Sequence, residues 1–217
     1  MLLIDSANIP AIVALRSTGL FVGVTTNPSV LAKEGMGIAD CAKLHADLAG
    51  HSLKFEFYQT VGDSYESMVE SGRDLHYLNG SSNIHEALVV VKVPATSNGY
   101  RAAVKLHELG AQVLLTAVYH PTQALAAKEL GCWGIAPYAG RIEDCGKDPI
   151  REIGKMVNIL MGSEQKVLAA SLRNPEIIGD LAAVGVQCFT APPAVWKNVI
   201  DNQNTIKALE QFINDEI

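Results

Sequence analysis

The chain has 217 residues and a mass of 23.2 kDa, with 48% apolar and 18% charged residues, a composition that excludes a largely disordered chain or a coiled coil. Lys and Arg number 17 against 23 Asp and Glu, a net charge of −6, the wrong sign for neutralising nucleic-acid phosphates or an anionic membrane surface. Met1-Leu2-Leu3-Ile4-Asp5 has no basic leader, and no run of about 18 apolar residues follows, so a soluble, cytoplasmic protein with neither nucleic-acid nor membrane partners is expected.

Short apolar, β-branched runs recur along the chain at Leu2–Ile4, Phe21–Val24, Leu53–Phe57, Leu88–Val93, Gln112–Ala117, Trp133–Ala136, Val167–Ala170 and Gln187–Phe189. Most are too apolar for half-solvated strands and suit parallel strands covered on both faces. Segments of helical period lie between them, among them Tyr100–Leu109, with Ala102, Ala103 and Leu106 on one side, and Pro121–Leu130. Gly110, Gly131 and Gly185 follow such segments where a helix C′ residue often takes positive φ. Asn79-Gly80-Ser81-Ser82-Asn83 reads as a helix-to-strand loop, and no linker divides the chain. Eight βα units over residues 1–217 predict one (β/α)8 barrel, a TIM barrel, followed by an extra C-terminal helix at about 203–217. An open doubly wound sheet is the alternative, although no GxGxxG or Walker A pattern follows the first strand.

In such a barrel the reactive groups sit at the C-terminal ends of strands. The polar residues there are Asp5, Thr25-Thr26-Asn27, Gln59, Lys92, Thr116 with Tyr119, Tyr138 with Arg141, and Ser171 with Arg173. Lys92 lies inside Ala87-Leu88-Val89-Val90-Val91-Lys92-Val93-Pro94, and of the eleven lysines it alone sits deep in so apolar a strand. Burial lowers an ammonium pKa toward the neutral amine that attacks a carbonyl, as a Schiff-base lysine must. Alone, the residue reads first as a snorkelling or ion-paired lysine. Its company changes the reading: a carboxylate at Asp5, hydroxyls at Thr116 and Tyr138 and an amide at Gln59 can serve the proton transfers that imine chemistry needs. Arg141, Ser171 and Arg173 form a second group, either surface residues or a phosphate site of the kind barrels place after their late strands.

These residues lie in LIDSANI (3–9), GVTTNPSVLAKEG (23–35), VVVKVPAT (89–96), LTAVYHPTQAL (115–125), IAPYAGRI (135–142) and VLAASLRNPEII (167–178). The set, in order and across most of the chain, resembles the transaldolase and fructose-6-phosphate aldolase family. The resemblance implies a (β/α)8 barrel with the Schiff-base lysine at Lys92, proton transfer at Asp5, a water-holding threonine at Thr116, contacts to substrate hydroxyls at Asn27 beside Thr25, and phosphate binding at Arg141, Ser171 and Arg173. It implies a sugar-phosphate substrate, no cofactor and no metal, and a homo-oligomer, commonly a decamer, whose last helix packs on a neighbouring subunit. Ile206, Leu209, Phe212 and Ile213 make a matching apolar stripe in Asn204–Ile217.

Two positions separate the branches of that family. Transaldolases usually carry Glu on strand 3 and Phe after the strand-6 Pro, where the small aldolases resemble Gln and Tyr. Here Pro137 precedes Tyr138, whereas Phe55-Glu56-Phe57-Tyr58-Gln59 offers both Glu56 and Gln59. Their opposite side-chain parity lets only one face the barrel interior unless a bulge intervenes. Gln59, nine residues before Met68 as in the aldolase pattern, is chosen. A class I aldolase releasing dihydroxyacetone is therefore expected, with transaldolase and a non-enzymatic sugar-phosphate-binding barrel as alternatives. The six histidines show no HxH or HExxH spacing, and most read as surface residues, with His120 at the pocket rim. Cys41, Cys132, Cys145 and Cys188 form no CxxC pair and read as buried or half-buried thiols.

Overall fold

The computed structural model describes residues 1–80 and 87–215. Eight parallel strands close into a barrel in chain order: β1 (Leu2–Asp5), β2 (Phe21–Thr25), β3 (Phe55–Gln59), β4 (Leu88–Pro94), β5 (Gln112–Val118), β6 (Gly134–Pro137), β7 (Lys166–Ala169) and β8 (Cys188–Ala191). Closure is made by β8 against β1, with Leu3 opposite Thr190. Around the barrel run α1 (Ile9–Arg16), α2 (Pro28–Lys33), α3 (Cys41–Leu48), α4 (Tyr65–His76), α5 (Ser97–Glu108), α6 (Thr122–Glu129), α7 (Ala139–Asp144), α8 (Pro149–Leu160), α9 (Pro175–Ala183) and α10 (Pro193–Ile200), followed by α11 (Gln203–Asp215). The expected (β/α)8 barrel with an additional C-terminal helix is therefore present. Among the described residues no helix is long and apolar enough to cross a membrane.

Side chains alternate across the barrel wall as the two-residue strand period requires. Leu3, Phe57, Val90, Leu114, Trp133, Leu168 and Cys188 pack together inside the barrel. Residues of opposite parity, such as Ile4, Tyr58, Val89, Val91 and Leu115, join the core beneath the helices. Trp133 fills the lower interior, its ring 5.1 Å from that of Phe57 in an edge-on contact. One step further along each strand the interior becomes polar: Asp5 follows Leu3, Gln59 follows Phe57, Lys92 follows Val90, Thr116 follows Leu114 and Thr190 follows Cys188. An apolar plug thus supports a polar layer at the C-terminal end, and the alternation aims that layer inward.

Local chemistry starts the helices at the same end. Asn27, Asp148 and Asn174 each cap a helix with Pro at its first position, satisfying an orphan N–H while the ring presets φ. α5 begins three residues before the predicted Tyr100 because Thr96 Oγ1 accepts the Gly99 N–H at 3.1 Å. β3 ends at Gln59 rather than Phe57, since Tyr58 and Gln59 continue the ladder opposite Val91 and Lys92. Apolarity located that run, but pairing set its end. The expected loop at Asn79–Asn83 is partly a 3-10 turn, Tyr77–Gly80, and its remaining residues lie outside those described.

His45 is an exception among the histidines, and the expectation of burial fails for Cys145. His45 is buried, with Nδ1 sharing a hydrogen bond with Glu56 Oε2 at 2.8 Å behind β3. Cys145 is exposed, whereas Cys41, Cys132 and Cys188 are buried, because α7 ends at Asp144 and its cap residue turns outward.

Candidate active site

At the C-terminal mouth of the barrel lies a cavity of about 450 Å³ lined by Asp5, Asn27, Gln59, Lys92, Tyr138, Arg141 and Ser171 among others. Eight of the twelve polar strand-end residues singled out in the sequence, Tyr119 among them, are in its wall. Lys92 is 4% exposed, and its Nζ donates to Thr26 O at 2.7 Å. Burial pulls its pKa down from 10.5 to about 8, opposed in part by the carboxylate of Asp5. About a tenth of the side chain is then neutral amine at pH 7, far more than for a solvated lysine.

Asp5 is pushed the other way: burial raises its pKa, with Lys92, the Thr25 hydrogen bond and Lys33 pulling it down. Thr25 Oγ1 donates to Asp5 Oδ1 at 2.8 Å and lies 2.6 Å from Thr190 Oγ1. Thr25 is fully buried beneath this carboxylate and holds it rather than lining the cavity. Thr116 is likewise buried, and its Oγ1 is 3.1 Å from the Tyr138 hydroxyl. Burial raises the Tyr138 pKa, so the group remains a phenol able to donate.

Of the two strand-3 candidates, Gln59 lines the cavity, while Glu56 is buried toward the helices and accepts from the Tyr58 hydroxyl at 2.6 Å. Gln59 Oε1 is buried and has no hydrogen-bond partner among the described residues, an acceptor left unsatisfied at the cavity wall. Asn27 spends Oδ1 on the Val30 N–H at 3.0 Å to cap α2, which leaves its amide NH2 as the group for a substrate oxygen.

The arginines part company. Arg141 lines the cavity, its guanidinium carbon 5.8 Å from the centre of the Tyr138 ring. Arg173 lies outside the lining and pairs with Asp144 through both terminal nitrogens, Nη1 donating to Oδ1 at 2.7 Å. The two segments can approach because position 140 has no side chain: a Cβ there would come within 2.6 Å of Arg173 Nε and 2.7 Å of Ser171 O. His120 is exposed, bonds to Thr122 and is not in the wall.

Ala117 and Ser171, both in the cavity wall, hold φ of +54° and +57°, a region that costs a non-glycine residue about 1 kcal/mol or more. Ala117 lies where the β5–β6 register shifts between Leu115 and Val118, a bulge of the kind found at barrel rims.

Thr190, Lys33 and Asp144 escaped the sequence reading. Thr190 was detectable, since it is the polar residue ending the eighth strand, but the apolar run stopped at Phe189. Lys33, the last residue of α2, lines the cavity although it lies on no strand end.

Residues 2–216 match the transaldolase/fructose-6-phosphate aldolase family. The chain belongs to that family. Among curated relatives, a "probable transaldolase" of Ruegeria sp. (strain TM1040) is 37% identical, covering 98% of this chain and 94% of its own. One from Caulobacter sp. (strain K31) is 35% identical with the same coverage. Among solved structures the likeness is one of fold: a thiamine phosphate pyrophosphorylase from Pyrococcus furiosus superposes with a TM-score of 0.59 at 13% identity, over 89% of this chain and 85% of that one. A mandelate oxidase variant carrying an FMN adduct gives 0.59 at 13% identity, and the chain spans 64% of its length. Family membership identifies an enzyme of the transaldolase or aldolase type.

Proposed function

We propose that this family member is a class I aldolase that reversibly cleaves a ketose phosphate such as fructose 6-phosphate into dihydroxyacetone and glyceraldehyde 3-phosphate. The observation that carries the reading is the Tyr138 phenol, 3.1 Å from Thr116 Oγ1 and in the same cavity as the Lys92 amine. In the proposed sequence the neutral Lys92 amine adds to the ketose carbonyl and water departs, leaving an iminium. Asp5 takes the proton of the C4 hydroxyl as the C3–C4 bond breaks, and the bonding pair moves to the iminium nitrogen. The aldehyde leaves, and the three-carbon unit remains on Lys92 as an enamine. Protonation at C3 and addition of water then release dihydroxyacetone.

Water decides between release and transfer to a second aldehyde. Tyr138 and Thr116 together can hold a water against the imine carbon, and Gln59 adds an acceptor without the fixed charge of a carboxylate. The names of the relatives favour a second reading, transaldolase, in which the enamine attacks another sugar phosphate. Incubation with fructose 6-phosphate, with and without erythrose 4-phosphate, separates the two: free dihydroxyacetone should dominate. Formation of sedoheptulose 7-phosphate much faster than dihydroxyacetone release would overturn the aldolase reading. Tyr138→Phe should slow dihydroxyacetone release about a hundredfold, the low end of what a positioned proton-transfer group contributes, and raise the share of transfer product. An unchanged product ratio would remove Tyr138 from that role.

The proposed assembly is a homo-oligomer, with a ring of ten as the expectation. Along α11, Leu209, Phe212 and Ile213 are 56%, 63% and 53% exposed, and no residue of the helix is buried. Such a stripe loses apolar surface to water only against another surface, and a neighbouring copy of the chain supplies one. Light scattering should give a multiple of 23.2 kDa, and Phe212→Glu should lower it. A monomeric mass for the unmodified protein rules the assembly out.

A further inference from the structure

A hydroxyl carries one hydrogen and can donate only once. Thr25 uses its hydrogen on Asp5 Oδ1, at 2.8 Å, so in the 2.6 Å contact between Thr25 Oγ1 and Thr190 Oγ1 the donor is Thr190. Three neighbouring strands build this chain: Asp5 of β1 stands opposite Thr25 of β2, and β8 supplies Thr190 on the other flank. Thr25 and Thr190 are 0% and 3% exposed, so bulk water does not compete for either hydroxyl and each bond is worth more than it would be in solvent. Thr190 also lies in the cavity wall, where its lone pairs can accept from a bound molecule.

We propose that Thr190 is a positioning residue for Asp5: by donating to Thr25 it fixes the Thr25 hydroxyl as a donor to Oδ1 and leaves Oδ2 as the oxygen that exchanges protons with substrate. This rests on the reading of Asp5 as the proton-transfer group. Without Thr190 the Thr25 oxygen is less polarised, its hydrogen is no longer confined to one direction, and the ionised carboxylate is held less firmly. The other charged or titratable groups facing Asp5 are Lys92 from β4, Lys33 from α2 and Tyr138 after β6. Thr190 makes no described hydrogen bond to any of these three, so its effect on the titration of Asp5 passes through Thr25.

The test is the pH dependence of kcat for fructose 6-phosphate cleavage. Once the imine has formed, kcat no longer reports the Lys92 amine, and its acidic limb reports groups in the bound complex. Thr190→Val, which keeps the shape and deletes the hydroxyl, should lower kcat about tenfold at pH 7, leave KM within about twofold and move the acidic limb upward by about half a unit or more. Thr190→Ser should restore both rate and limb. An unmoved limb in a folded Thr190→Val enzyme, or a serine variant that behaves like the valine one, overturns the inference. Asp5→Asn serves as the control: if it keeps the wild-type limb, proton transfer by Asp5 fails and the inference falls with it, whereas a change confined to Asp5→Asn overturns the role of Thr190 alone.

Discussion

Lys92→Met should reduce turnover by roughly 10⁴-fold or more, the scale on which enzymes lose activity when a nucleophile is removed, and should change how stability depends on pH. Methionine is of similar length and apolar, so it occupies the same channel without an ionisable group. Borohydride reduction in the presence of fructose 6-phosphate should add mass to the wild type and none to the variant. A trapped adduct on the variant places the imine on another lysine.

The stability effect has a definite sign. An unfolded lysine keeps its proton to about 10.5, whereas burial has the folded Lys92 releasing it near 8. Between those values the unfolded chain binds more protons, so the stability of the wild type rises with pH. At about 1.4 kcal/mol per unit, the wild type should gain about 3 kcal/mol over Lys92→Met across that window. Below it the difference is constant, and there the charged amine is a burden on the fold that its bond to Thr26 O only partly offsets. Chemical denaturation of both proteins at intervals from pH 7 to 10.5 measures the change. A flat difference would mean that the amine is not desolvated as the geometry describes.

Arg141→Ala should raise KM for glyceraldehyde 3-phosphate in the synthesis direction by about 10- to 150-fold while leaving unphosphorylated glyceraldehyde nearly unaffected. That range is the 1.5–3 kcal/mol expected of a charge-assisted contact to a phosphate. Arg141 has no carboxylate among its described hydrogen-bond partners and lines the cavity. The Arg173 guanidinium is bound to Asp144, which is itself held ionised by that contact. A phosphate must therefore compete with Asp144 for Arg173, and Arg173→Ala should cost less than Arg141→Ala. Asp144→Asn should lower KM for the phosphorylated aldehyde by weakening that competitor. Equal losses for phosphorylated and unphosphorylated aldehydes in Arg141→Ala would sink the phosphate reading, and a larger loss in Arg173→Ala would move the seat of the phosphate toward β7.

Much of this protein was legible in one dimension. Eight apolar runs separated by helical segments specify parallel strands covered on both sides, because only burial on both faces repays such composition. The two-residue strand period then marks Asp5, Gln59, Lys92 and Thr116 as continuations of the face that carries Leu3, Phe57, Val90 and Leu114. Lys92 stood out for the same reason, since an ammonium inside an apolar strand is costly and calls for a purpose. Period alone separated Glu56 from Gln59 onto opposite faces, but only the ladder from Gln59 to Lys92 decided which face is the interior. Tertiary structure alone decided the rest. Thr25 and Thr190 meet across 165 residues, and Arg173 finds Asp144 across 29. Whether an arginine faces a cavity or a carboxylate, and which hydroxyl donates to which, depends on groups brought together when the barrel closes, and no local pattern of spacing or polarity records that closure.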